Sequence, residues 1–150
     1  MEQKVRKKYI DETLGFPVIL MDVPMRKTRG TWVPNINYQA FKTSVLHLLA
    51  FKPSRLSGAE VKFIRHTFEM STEAFGERFG DVSHPAVLKW EKKGQAASDM
   101  NWSTEKDIRM EILRFLNEKP KEIVGLYESL EKVKPAPKKP LQMPADDLAA

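Results

Sequence analysis

Between Ser57 and Gly94 the chain carries so many start and stop signals that only short helices fit there. Ser57 followed by Glu60 is a capping box, and Leu56 with Val61 has the spacing of a hydrophobic staple. Val61, Ile64 and Phe68 then share a face. Ser71 opens a second short helix through "TEAFGERF", with Phe75 and Phe79 four residues apart and facing the core. Gly80-Asp81 breaks it. Ser83 caps a third, with His84 and Pro85 in its first turn, where proline's missing N–H has no intrahelical partner. Gly94 lies just past its end. In this helix Val87 and Trp90, with Leu88 beside them, face the core. Helices this short are not stable alone, so the segment must pack as a unit.

Residues 1–15, "MEQKVRKKYIDETLG", read as a basic, flexible arm. The β-rich stretches 17–23, "PVILMDV", and 31–38, "TWVPNINY", are joined through Pro24 and Gly30 and predict a hairpin. Phe41, Val45, Leu48 and Leu49 predict a helix that Lys52-Pro53 stops, and 16–55 form a hairpin-plus-helix segment. A longer helix begins at Ser103 with the stripe Ile108, Ile112, Phe115 and Leu116, closing a domain at 56–118. Pro120 opens a C-terminal helix within 119–133 whose apolar side is Ile123, Tyr127 and Leu130. Residues 134–150, with four prolines and little to bury, are expected to form a disordered tail. The expected fold class is mainly α: a helical domain preceded by a short β-hairpin segment and a helix.

At 150 residues there is room for one domain with an appendage, and 41% hydrophobic with 30% charged residues is ordinary for a globular chain. No apolar run approaches the ~20 residues of a membrane span, and the charged N-terminus is not a secretory signal. Without cysteine there is no disulfide, thiolate zinc site or cysteine nucleophile, which fits a cytoplasmic protein. His47, His66 and His84 are scattered without a carboxylate pattern, so no metal site and no cofactor are expected. No nucleophile–base pairing or phosphate-cradling glycine loop points to an enzyme. The net charge of +5 favours an anionic partner without naming one.

Two short helices joined by a tight, glycine-containing turn are the mark of a helix-turn-helix. Residue by residue, "MSTEAFGERFGDVSHPAVLKWEKKG" resembles the Cro/CI-type (XRE) helix-turn-helix family. Ser71, Phe75, Gly80, Val82, Ser83, Val87, Trp90 and Glu91 occupy that family's pattern positions. Gly76 stands where the family usually has alanine, and Asp81 is one extra residue in the turn. Over roughly residues 14–116 the chain also looks like the HigA/MqsA-like antitoxins of type II toxin–antitoxin modules, through "GFPVILMDVPM", "GTWVPNINY" and "LSGAEVKFIRHTFEM". The MqsA branch has a zinc-binding N-terminal domain, which a cysteine-free chain cannot build.

The resemblance implies a lambda-repressor-like helical domain and a repressor of its own operon that neutralises a cognate toxin. It implies a homodimer on double-stranded DNA carrying a palindromic operator. In such proteins the start of the second helix meets base edges in the major groove. His84 and Lys89 are the candidates for reading bases, and Pro85 and Ala86 are compact enough to approach a thymine methyl. Thr72 matches a position that contacts phosphate. Ser83, Lys92 and Lys93 complete the candidate DNA-binding set, the lysines as positioning contacts. Against this stand plainer readings: Ser71 and Ser83 as caps, and Lys92-Lys93 as a solvated helix end favoured by the dipole. The terminal Leu148-Ala149-Ala150 resembles a bacterial degradation tag, which would make the tail a protease or chaperone site. A stand-alone regulator without a toxin, or a protein-binding adaptor, are the alternatives.

Overall fold

The computed structural model describes residues 3–133 and 140–149. The chain divides into two compact units, one of residues 1–45 and 140–150, the other of residues 46–139.

The first unit is built on a sheet. Strand β1 (Gln3–Asp11) pairs antiparallel with β2 (Val18–Thr28), which pairs in turn with β3 (Thr31–Pro34). The β2–β3 turn is two residues long, Thr28 facing Thr31, and both Arg29 and Gly30 have positive φ, of 52° and 80°. That is the mirror-image turn whose twist matches a hairpin, and it places the reversal at Arg29-Gly30 with Pro24 inside the strand. Asp22, with φ 52°, switches the alternation along β2: Val18 and Leu20 are buried before it, Val23 and Met25 after it. On the edge of β2 away from β1, along its first half, lies β4 (Leu141–Pro144), running parallel with Val18 opposite Leu141 and Met21 opposite Pro144. A 3₁₀ turn, Asp146–Leu148, then buries Leu148; the Asn37 N–H donates to the Leu148 carbonyl at 2.8 Å, and Ala149 bridges to Ile36.

Two expectations are corrected here. The flexible arm is an edge strand from Gln3 onward, and the tail is ordered structure over 140–149; its remaining residues, 134–139 and 150, lie outside the described set. Strand β1 has no alternating apolar pattern, and the alternation of β4 spans only four residues. In β1 every residue from Lys4 to Lys8 is exposed, so no face is marked by apolar side chains. In β4 only Leu141 and Met143 point inward. The mainly α expectation falls with them. Among the described residues six helices accompany a four-stranded mixed sheet, an α/β composition.

Helix α1 (Tyr38–Ala50) carries the chain into the second unit, followed by α2 (Gly58–Thr67), α3 (Thr72–Arg78), α4 (His84–Glu91), α5 (Trp102–Phe115) and α6 (Pro120–Ser129). The Ser57 capping box is complete: its hydroxyl accepts from Glu60 N–H, and the Glu60 carboxylate accepts from Ser57 N–H. Helix α5 begins one residue earlier than expected, at Trp102, and is capped by Asn101, whose side chain accepts from Ser103 N–H at 3.0 Å. Leu46, Leu49, Leu56, Val61, Ile64, Phe75, Phe79, Val87, Ile108, Ile112 and Leu113 form the core. Phe115 and Tyr127 do not join it, being 49% and 57% exposed; α6 turns Leu126 inward instead.

A charged pair lies within this core. Glu105 and Arg109, one helical turn apart on α5, are both 0% exposed and meet at 2.8 Å. Arg109 also donates to the carbonyls of Ala50, Lys52 and Ser54, and Glu105 accepts from Arg55 Nε and Leu56 N–H. Burial pushes the Arg109 pKa down, and Glu105 beside it pulls the other way. Lys52 and Glu60 form a second buried pair at 2.6 Å. The link from α1 to α2 is therefore closed by ionic hydrogen bonds, which satisfy backbone carbonyls that water cannot reach.

Candidate nucleic-acid interface

Helix α3 starts at Ser71, whose hydroxyl accepts from Ala74 N–H at 3.1 Å. Its middle is Gly76, buried where the following turn crosses; a Cβ there would run into the Val82 carbonyl. The same crossing lets Val82 N–H donate to the Gly76 carbonyl at 2.9 Å. Gly80 and Asp81 make the reversal with φ of 88° and 50°. Asp81, the extra turn residue, thus takes a left-handed conformation, which aspartate tolerates better than most residues.

Helix α4 is held from behind. Val87 is fully buried. Glu91 accepts two hydrogen bonds from Arg65 of α2, at 2.7 and 3.0 Å, and Arg65 also donates to the Met70 carbonyl at 3.1 Å. The glutamate side chain is 6% exposed and the arginine 12%, so this bidentate pair is well shielded. Gly58, at the start of α2, permits the last piece of the contact: a Cβ there would collide with the Trp90 carbonyl.

With the back of α4 engaged, its other residues face outward. Ser83, His84, Pro85, Lys89, Lys92 and Lys93 are exposed, and Ala86 is half-buried. Ser83 has the extended backbone of an N-cap, but its side chain makes no capping hydrogen bond. Unlike Ser71, it is a cap in position only. Thr72, at the first residue of α3, lies with its hydroxyl 3.3 Å from His84 Nδ1, so the two helix starts meet. Lys89 and Lys92 have no carboxylate partner among the described residues; Lys93 does, with Nζ 3.0 Å from Asp99 on the surface. Leu88, expected beside the core, is 37% exposed on this outward side.

Thr72 and His84 thus meet where α3 and α4 start, Ser83, Pro85, Lys89 and Lys92 are exposed along α4 and its ends, and Lys93 is tied to Asp99. Sequence reasoning missed the support beneath α4. Arg65 carried no local signal at all, and Glu91 stood out only as a pattern position. Further support comes from Arg78 at the end of α3. It reaches α5 to pair with Asp107 at 2.8 Å and Glu111 at 3.2 Å, and the Asp107 hydrogen bond raises its pKa. Such a surface is chemically equipped to hold an anionic polymer: free lysines for phosphate oxygens, and an imidazole, a hydroxyl and compact residues for closer contacts. No family model, no curated protein and no solved structure matches the chain. No helix among the described residues is long and apolar enough to cross a membrane.

Proposed function

We propose that the protein is a sequence-specific, DNA-binding transcriptional repressor of the helix-turn-helix kind. The observation that carries this is the division of α4 into an anchored back and a free front. Val87 and the Arg65–Glu91 pair engage one side, Lys89 and Lys92 stand exposed on the other and His84 at the N-terminal end, and none of these three has a carboxylate partner among the described residues. A recognition helix needs this division, its buried side fixed and its basic side open. His84, Lys89, Pro85 and Ala86 would then approach base edges, and Thr72, Ser83, Lys92 and Lys93 the phosphates.

The finer reading, a cytoplasmic antitoxin that represses its own toxin–antitoxin operon as a homodimer on a palindromic operator, rests on the family resemblance of residues 14–116. The protease or chaperone role of the tail receives no support from its placement, because Leu148 is 3% exposed and Ala149 is paired.

The decisive experiment is fluorescence anisotropy with DNA from immediately upstream of the gene, against a scrambled duplex, at about 50 and 200 mM salt. A repressor is expected to prefer its own DNA by roughly 10³-fold or more. Both affinities should fall steeply with salt. Replacing His84 and Lys89 together by alanine should abolish the preference while leaving weak, salt-sensitive binding. Equal binding to both duplexes by the unaltered protein would overturn the proposal.

A further inference from the structure

The fold gathers three metal-capable side chains that the sequence keeps far apart. We propose that His47, Glu118 and Glu122 form a binding site for a divalent transition ion of the zinc class. His47 sits in the last turn of α1, Glu118 lies three residues past the end of α5, and Glu122 is in the first turn of α6. His47 Nε2 is 3.4 Å from Glu118 Oε1, and one donor atom from each of the three lies within 4.8 Å of the others. Tetrahedral zinc with bonds of about 2.0–2.2 Å holds its donors roughly 3.3–3.6 Å apart, so the first pair is already spaced as ligands. A small turn of the exposed Glu122 side chain closes the other two edges.

Three further features point to an ion. The imidazole is oriented beforehand by packing on Phe51, with ring centroids 4.9 Å apart. The two carboxylates lack cations. Among the other glutamates that are not fully exposed, Glu60, Glu91, Glu105 and Glu111 each meet a lysine or arginine. Glu118 meets only His47, and Glu122 has no ion-pair partner among the described residues. The α1 and α5 helices also end here, and the negative ends of these two dipoles outnumber the positive end of α6, which starts at Pro120.

One imidazole with two carboxylates is a borderline nitrogen–oxygen set. It favours Zn²⁺ over Mg²⁺, which prefers oxygen ligands and keeps its waters. With three protein ligands, the fourth position falls to water on the open side. The consequence is mechanical. Helix α6 is otherwise held by few buried side chains, chiefly Leu126, while Val124 and Tyr127 are each 57% exposed. An ion joining Glu122 to His47 would pin its first turn against α1.

Untagged full-length protein, stripped of metal, would be titrated calorimetrically with zinc chloride and, separately, magnesium chloride. Amide hydrogen exchange across residues 120–129 would be followed with and without zinc. We expect one zinc per chain, no comparable binding of magnesium, and slower exchange in α6 when zinc is bound. His47→Asn and Glu122→Gln should each weaken zinc binding at least about tenfold, since even loss of an outer-shell partner costs that much. Glu122 is exposed, so the metal-free melting temperature of Glu122→Gln should match the parent; His47 is half-buried against Phe51, and a cooperative melt of metal-free His47→Asn shows that it folds. Absence of zinc binding, equal binding of magnesium, or unchanged affinity in both variants would overturn the proposal. None of these outcomes depends on DNA binding.

Discussion

Gly76 decides how closely the turn after α3 can approach the helix. A methyl group there would meet the backbone carbonyl of Val82, which cannot swing aside as a side chain can. Gly76→Ala is therefore expected to cost about 1–3 kcal/mol, the range for overpacking a tight contact. It should also displace the start of α4 and, on the function proposed above, weaken specific DNA binding. Urea denaturation measures the first effect and anisotropy the second; full stability in Gly76→Ala would show that the turn yields. Asp81 takes its left-handed conformation in the turn beside this contact. The Arg65–Glu91 pair belongs to the same scale. Its residues are 26 apart, and no local pattern announces that they meet.

At the scale of elements, legibility followed the range of the signals. The starts of α2, α3 and α4 were readable because a cap, a first-turn proline or a staple acts within three to five residues. Strand β4 was not, because its partner lies more than 100 residues earlier in the chain. Its value can be measured. Leu148, 3% exposed behind β4, should cost about 2–5 kcal/mol when changed to alanine, the usual range for a buried leucine. A loss below about 0.5 kcal/mol in urea denaturation would mean that the docked segment contributes little. Helix α6 teaches a related point. Its apolar residues fit more than one face, and packing selected Leu126 over Tyr127.

For the molecule as a whole, charge networks tie elements together and give stability a pH dependence. Glu111 joins Arg78 of α3 to Arg114 of its own helix, and the Arg114 hydrogen bond in particular holds its carboxyl below the ordinary value of 4.5. A carboxylate depressed in the folded state stabilises above its unfolded pKa and loses that contribution as pH falls through its folded one. Stability should therefore decline below about pH 4.5 partly through this residue. The fall in urea midpoint between neutral and acid pH should be smaller in Glu111→Gln, and an identical fall would remove Glu111 from the acid response. Arg109 lies outside that window, since an arginine stays charged even when burial lowers its pKa.

Local signals marked where the short helices begin and break and that Val61, Ile64, Phe75 and Val87 face the core, while Leu88 turned outward and Trp90 is only half-buried. The sequence by itself also marked the stretch most suited to present basic side chains, because those properties are set by neighbours a few residues away. It could not determine that the basic N-terminus is a strand, that residues 141–144 complete its sheet, or that an i,i+4 ion pair turns inward on α5. Nor could it bring His47 to Glu118. Each of these depends on a partner distant in the chain, and only the closed tertiary structure supplies the pairing, the burial and the local field.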